Sequence, residues 1–252
     1  MKKNTQIASK DVPFLAVLLM FAGFSLYGIL SFNGLVGEKL DQGYTAVLSD
    51  DLLADGGVLL TEANPFTAEI DEADEIFADV PSNHSNSVAI SYFKQMGYIG
   101  GYDDGSFRPD QSVNRAELFK VLTNALNVEF AGGTYENCFK DVEDEWFATY
   151  ICYAKIVGWV DGKDDGTFEP AGPLSNAAIM KIVVLAFNFG YPDSISEKPF
   201  SDVEVGAWYA PYAYAAKDVG IYSRSLFKPN DTVTRGTLVQ YIYNALEVEW
   251  NS

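Results

Sequence analysis

Beyond residue 77 the apolar positions fall into a pattern that recurs three times, and each copy predicts a helix, a loop and a second helix. The first helix is expected over about 86–97, 146–158 and 208–220. There Val88, Phe93 and Met96, then Phe147, Ile151 and Ala154, then Tyr209, Ala213 and Ala216 follow helical spacing. Gly97, Gly158 and Gly220 end these stretches and suit the left-handed position just past a helix. Asp103-Asp104-Gly105 and Asp164-Asp165-Gly166 then favour tight turns. The second helix is expected to begin at Asn114, Ser175 or Thr234, each a good N-cap. Glu117, three residues after Asn114, adds a capping box. Apolar stripes follow at Leu118, Val121, Leu122 and Ala125, at Ile179, Ile182, Val183 and Ala186, and at Leu238, Tyr241, Ile242 and Ala245.

Landmarks outside the helices keep the same order. Phe77-Ala78-Asp79-Val80 recurs as Phe139-Lys140-Asp141-Val142 and Phe200-Ser201-Asp202-Val203, at offsets of 62 and 61 residues. Phe107-Arg108-Pro109 recurs as Phe168-Glu169-Pro170 and Phe227-Lys228-Pro229. A unit of about 60 residues with two short helices buries too little surface alone. The expected fold is therefore all-α, with repeats at 77–130, 131–191 and 192–252 sharing one core through their second helices.

The first 76 residues read differently. Lys2, Lys3 and Lys10 precede an apolar stretch from Val12 to Val36, long enough as a helix to approach the roughly 30 Å hydrocarbon thickness of a bilayer. Residues 1–37 are expected to be a signal peptide or an uncleaved membrane anchor. Both imply export, and the basic flank puts the remainder outside the cytoplasm. Residues 38–76 hold eleven acidic side chains against one lysine and read as a self-repelling flexible linker.

Charge and composition then exclude several functions. Thirty-five acidic against 17 basic side chains leave a net charge of −18, which disfavours nucleic acid. One histidine and two cysteines are too few for histidine-rich or four-cysteine metal sites. The stretch from Asp161 to Gly172 resembles a calcium loop, but Gly172 stands where the bidentate glutamate belongs and Lys163 occupies a ligand position. His84 has no partner serine or cysteine in a recognisable motif, and no acid–base pair is marked. Neither a cofactor nor an enzymatic activity is expected. Cys138 and Cys152 are expected to pair, as an exported protein allows.

Phe-x-Asp-Val, the pair Trp208-Tyr209, the run from Gly101 to Pro109 and a Thr-Arg-Ala-Glu-like helix start together resemble S-layer homology domains, over residues 77–252. The resemblance implies a pseudo-threefold spindle around a central three-helix bundle. It also implies non-covalent binding of cell-wall carbohydrate, often a pyruvylated polymer, in grooves between repeats. The motif's arginine, a principal ligand contact in that family, matches Arg115 and Arg235.

The residues themselves suit that role. An arginine in a helix's first turn lies beside free N–H groups and the positive end of the dipole, and its fork matches a carboxylate. The alternative is an arginine paired with a neighbouring acid. Asn114, Glu117, Thr234 and Gly105 join the candidate site. Asp79, Asp141, Asp202, Asn176 and Trp208 are weaker members, the aspartates doubling as loop braces and Trp208 as a core aromatic. Repeat 2 reads Ser175-Asn176-Ala177-Ala178 and lacks both arginine and glutamate; repeat 3 has Gly236-Thr237; Ser85 stands where the family commonly has tryptophan. One or two working grooves are expected, Arg115 marking the better one. The expected partner is wall polysaccharide or peptidoglycan, with the membrane added if the first helix stays. A protein-binding envelope module is the alternative, and a wall-active enzyme the remoter one.

Overall fold

A computed structural model describes residues 77–133 and 135–251 with their side chains, and the backbone of residues 5–7, 39–40, 44–47 and 58–62. The chain divides into two compact units, Met1–Glu69 and Ile70–Ser252. In the first, strands β1 (Thr5–Ile7), β2 (Lys39–Leu40), β3 (Tyr44–Val47) and β4 (Val58–Glu62) form an antiparallel sheet in the order β1-β4-β3-β2. Three of these strands fall in the stretch read as a flexible linker. The valine, threonine and tyrosine of β3 and β4 favour extended backbone despite the acidic surroundings. The apolar stretch from Val12 to Val36 lies outside the described residues. Among those that are described, no helix is long and apolar enough to cross a membrane.

The second unit is all-α. It holds α1 (Ser87–Gln95), α2 (Arg115–Ala125), α3 (Ala148–Ile156), α4 (Asn176–Ala186), α5 (Ala210–Asp218) and α6 (Arg235–Asn251). Asn114 caps α2 through a capping box with Glu117, and Ser175 caps α4. Gly97, Gly158 and Gly220 follow the first helices with φ of +72°, +81° and +85°. The first helices are nine residues each, without a side-chain cap. Too short to be stable alone, they depend on packing. In α1 the buried face is Ala89, Ile90 and Phe93, while Val88 and Met96, expected on the apolar stripe, are about half exposed. Val88 points away from that face, and Met96 is the C-cap residue past the helix end.

Packing runs in a cycle. Helix α3 lies on α2, α5 on α4, and α1 on α6, so each first helix covers the second helix of the repeat before it. The first repeat thereby closes against the third within one chain. Helix α6 also touches both α2 and α4. Under the helices, Phe107, Phe168 and Phe227 are fully buried. Each meets the phenylalanine of its own Phe-x-Asp-Val motif, with ring centroids 5.2–5.6 Å apart. Lys94, Lys155 and Lys217, from the last turns of α1, α3 and α5, sit over those second rings.

Cys138 and Cys152 form a disulfide that ties the segment before Phe139 to α3. Replacing both with serine is expected to lower the unfolding free energy by about 3 kcal/mol, the chain-entropy value for so short a loop. Urea denaturation of the oxidised protein and the variant measures the difference.

Candidate functional site

The cyclic packing recurs in the backbone and determines which side chains meet. The N–H groups of Arg115 and Ala116 donate to the carbonyls of Gly172 and Pro170 in the next repeat. Those of Asn176 and Ala177 donate to Asp231 and Pro229, and those of Arg235 and Gly236 to Gln111 and Pro109. Each second helix therefore spends its first free donors on the loop of the following repeat. At Gly236, where the other repeats have alanine, a β-carbon would come within 3.1 Å of Asn86 Oδ1 and 3.2 Å of Pro109, closer than such contacts ordinarily run.

The side chain that follows each N-cap repeats the arrangement. Arg115 Nε donates to the Phe168 carbonyl at 2.8 Å, and its guanidinium lies 4.2 Å from the Phe168 ring centre. Arg235 Nε donates to the Phe107 carbonyl at 3.0 Å, over the Phe107 and Tyr102 rings. Asn176 Nδ2 donates to the Phe227 carbonyl. Asparagine thus preserves the inter-repeat hydrogen bond that the arginines make, without their charge.

Around Arg235 lies a groove of about 410 Å³. It is lined by Asn114, Glu117 and Lys120 of the first repeat, by the chain at Gly97–Gly100, and by Trp146 of the second repeat. Glu117 Oε1 accepts from Arg235 Nη1 at 2.9 Å, while its Oε2 accepts from the Asn114 N–H. Lys120 Nζ stands 5.4 Å above the Trp146 ring, and that indole is 58% exposed.

The groove therefore draws on all three repeats. Its cation comes from the third, its acid and lysine from the first, and its indole from the second. Repeat correspondence places Arg115, Lys181 and Trp208 at the equivalent positions one step on. Trp208 is 59% exposed, as Trp146 is. At the last step the equivalents are Asn176, Gln240 and Ser85, so cation, lysine and indole are all replaced. Asn86 Nδ2 bonds Gln240 there, and Gln240 bonds Asn244, filling the position with side-chain amides.

The sequence-derived candidates sort accordingly. Asn114, Glu117 and Arg235 come together in one groove. Arg115, adjacent to Glu117 in sequence, sits instead beside Phe168 and Gly172 of the second repeat. The alternative of an arginine paired with an acid holds for Arg235. Among the described residues, Arg115 has no carboxylate within salt-bridge distance. Burial lowers the Arg115 pKa, partly offset by Glu169 and Asp141.

Thr234 caps α6 by accepting the Thr237 N–H, and Gly105, at φ +78°, makes the turn after Asp104. The Asp104 carboxylate takes the hydroxyl and N–H of Ser106 and the Arg108 guanidinium, which hold it down at about 2. Asp79, Asp141 and Asp202 brace loops. Each accepts the N–H of its repeat's buried phenylalanine and of the residue after it, at 2.7–2.9 Å. For Asp202 burial opposes ionisation, but those N–H donors outweigh it and its pKa falls. Trp146, which like Trp208 reads in sequence as either a sugar-stacking or a core aromatic, is exposed. Lys120 is the site residue that the sequence reading lacks; its signal is recurrence, since it lies 61 residues before Lys181.

Residues 76–119 match the S-layer homology domain. The S-layer protein of Bacillus licheniformis is 29% identical over 173 residues, which cover 68% of this chain and 20% of that protein. The cellulosome-anchoring protein of Acetivibrio thermocellus is 31% identical over 136 residues, 52% of this chain and 30% of the relative. A cell wall amidase of Bacillus anthracis is 28% identical over 170 residues, 66% and 31% respectively. The chain spans about a fifth of the length of the S-layer relatives it matches.

Proposed function

We propose that this protein is held non-covalently to the bacterial cell wall by binding an anionic wall polysaccharide in grooves between its repeats. The observation that carries this reading is the groove around Arg235. On a chain of net charge −18, it gathers an arginine and a lysine beside an exposed indole, over a floor of glycine-flanked backbone. With Nε on the Phe107 carbonyl and Nη1 on Glu117, the Arg235 guanidinium keeps its Nη2 donors for a carboxylate such as a pyruvyl ketal. The indole offers an apolar face to a sugar ring. By repeat correspondence the Arg115 position, with Lys181 and Trp208, is the candidate for a second site; Lys181 Nζ there stands 3.6 Å from Asp161 Oδ2. The relatives' names, S-layer protein and cellulosome-anchoring protein, suit attachment to the cell surface. The expected residence is the cell envelope. No acid–base pair marks the grooves for hydrolysis, and the likeness to an amidase covers under a third of that enzyme.

The test is co-sedimentation of the full chain with host wall sacculi, before and after the secondary polymer is stripped by acid. Pelleting that disappears on stripping is the expected result. Equal pelleting with bare peptidoglycan would overturn the polysaccharide reading, and no pelleting at all would turn attention to a protein partner.

A further inference from the structure

We infer that the aspartate of each Phe-x-Asp-Val motif aims the groove side chain of the preceding repeat, so that Asp141 positions Arg115 and Asp79 positions Arg235. The inference rests on the groove reading above, and it assigns these aspartates a part in binding that they perform without touching the ligand.

The geometry is a relay through one peptide plane. Asp141 Oδ2 accepts the Glu169 N–H at 2.7 Å, and its Oδ1 accepts the Phe168 N–H at 2.7 Å. The Glu169 N–H and the Phe168 C=O belong to the same peptide unit. In a trans peptide they point in opposite directions. Holding the N–H on the Asp141 side therefore turns the carbonyl outward, where Arg115 Nε meets it at 2.8 Å. Across the first and third repeats, Asp79 Oδ2 holds the Arg108 N–H and the Phe107 carbonyl receives Arg235 Nε. In the remaining case Asp202 Oδ2 holds the Lys228 N–H and the Phe227 carbonyl receives Asn176 Nδ2.

The residue in the middle of each relay is strained. Arg108, Glu169 and Lys228 have φ of +60°, +59° and +51°. Side chains with a β-carbon resist that region, and a charge-assisted hydrogen bond is what keeps them there. An ordinary loop brace would tolerate a glycine or a relaxed backbone at this point. Three non-glycine residues held at positive φ, each turning one carbonyl toward the preceding repeat's groove side chain, point to alignment as the purpose. Arg115 is anchored by this carbonyl and the Phe168 ring, and among the described residues no acid stands within ion-pair distance to orient it instead. Its direction accordingly depends on Asp141 more than that of Arg235, tied to Glu117, depends on Asp79.

The experiment follows the arginine Nε–H resonances of the full chain by NMR and its pelleting with wall sacculi. Asp141→Asn keeps the side chain's shape but turns an amide NH2 toward one of the two N–H donors. The expected result is a shifted, faster-exchanging Arg115 Nε–H signal and an unmoved Arg235 signal. Pelleting affinity should fall on the order of fivefold in the Arg235→Ala background, the loss of about one hydrogen bond. It should not fall further in the Arg115→Ala background. Asp79→Asn should give a smaller effect of the same kind on Arg235 alone.

An Arg115 signal that stays in place, or Arg115 and Arg235 signals that move together, would overturn the relay. A moved Arg115 signal with pelleting indifferent to both arginines would leave the relay standing and sink the wall-binding reading. If Asp141→Asn fails to fold, adding Glu169→Gly relieves the positive φ. The Arg115 signal of the folded double variant then decides: displaced, the relay holds; native, it falls.

Discussion

Replacing Arg115 and Arg235 together with alanine is expected to reduce the affinity for wall sacculi at least a hundredfold. A hydrogen bond to a charged partner contributes about 1.5–3 kcal/mol, so losing two costs about 3 kcal/mol or more. Each single variant should show part of the loss, because each groove takes its cation from a different repeat. The arginines also bridge repeats, through Nε to the Phe168 and Phe107 carbonyls. Circular dichroism and thermal melting must therefore accompany the pelleting assay. A folded double variant that pellets within about twofold of wild type would favour a protein partner over a polysaccharide. Arg115→Lys should recover charge but not the paired donors, and should sit nearer to alanine than to wild type.

Phe168→Ala is expected to destabilise the protein by about 3–5 kcal/mol, the usual loss for a fully buried phenylalanine. Native stability is about 5–15 kcal/mol, so this one substitution removes a large part of it. Phe168 is 0% exposed and packs against both Phe119 of the first repeat and Phe139 of its own. It also carries the Arg115 guanidinium on its face. The cavity would open at the junction of two repeats, where neither can relax without the other. Urea unfolding measures the change; a loss under about 1 kcal/mol would show that the junction collapses to fill the space.

Much of the helical frame was legible in the sequence because its signals are local. Asn114, Ser175 and Thr234 mark helix starts by short-range hydrogen bonding. Gly97, Gly158 and Gly220 mark helix ends by backbone conformation. The disulfide was legible from cysteine count and export. The grouping of the site was not. Arg115 and Glu117 lie two residues apart on one helix, yet the Glu117 carboxylate meets Arg235, 118 residues away. Nothing short-range encodes which repeat's loop covers which helix start, because that choice depends on backbone pairing such as Arg235 N–H to Gln111. The exposure of Val88 and Met96 was equally hidden. Spacing identifies a stripe, but α1 turns Ala89, Ile90 and Phe93 toward α6.

The cyclic offset bears on how such a chain changes over time. The repeat is the unit that is copied, but it is not the unit that binds, since the Arg235 groove draws on all three copies. A substitution at one helix start is felt next door: Asn176 belongs to the second repeat, yet the position it strips of charge borders the loop of the third, at Phe227 and Asp231. Recombination that drops or adds a single repeat would dismantle every groove at once rather than remove one. Diversity can therefore enter by point substitution within a fixed set of three, and the uneven grooves of this chain fit that route.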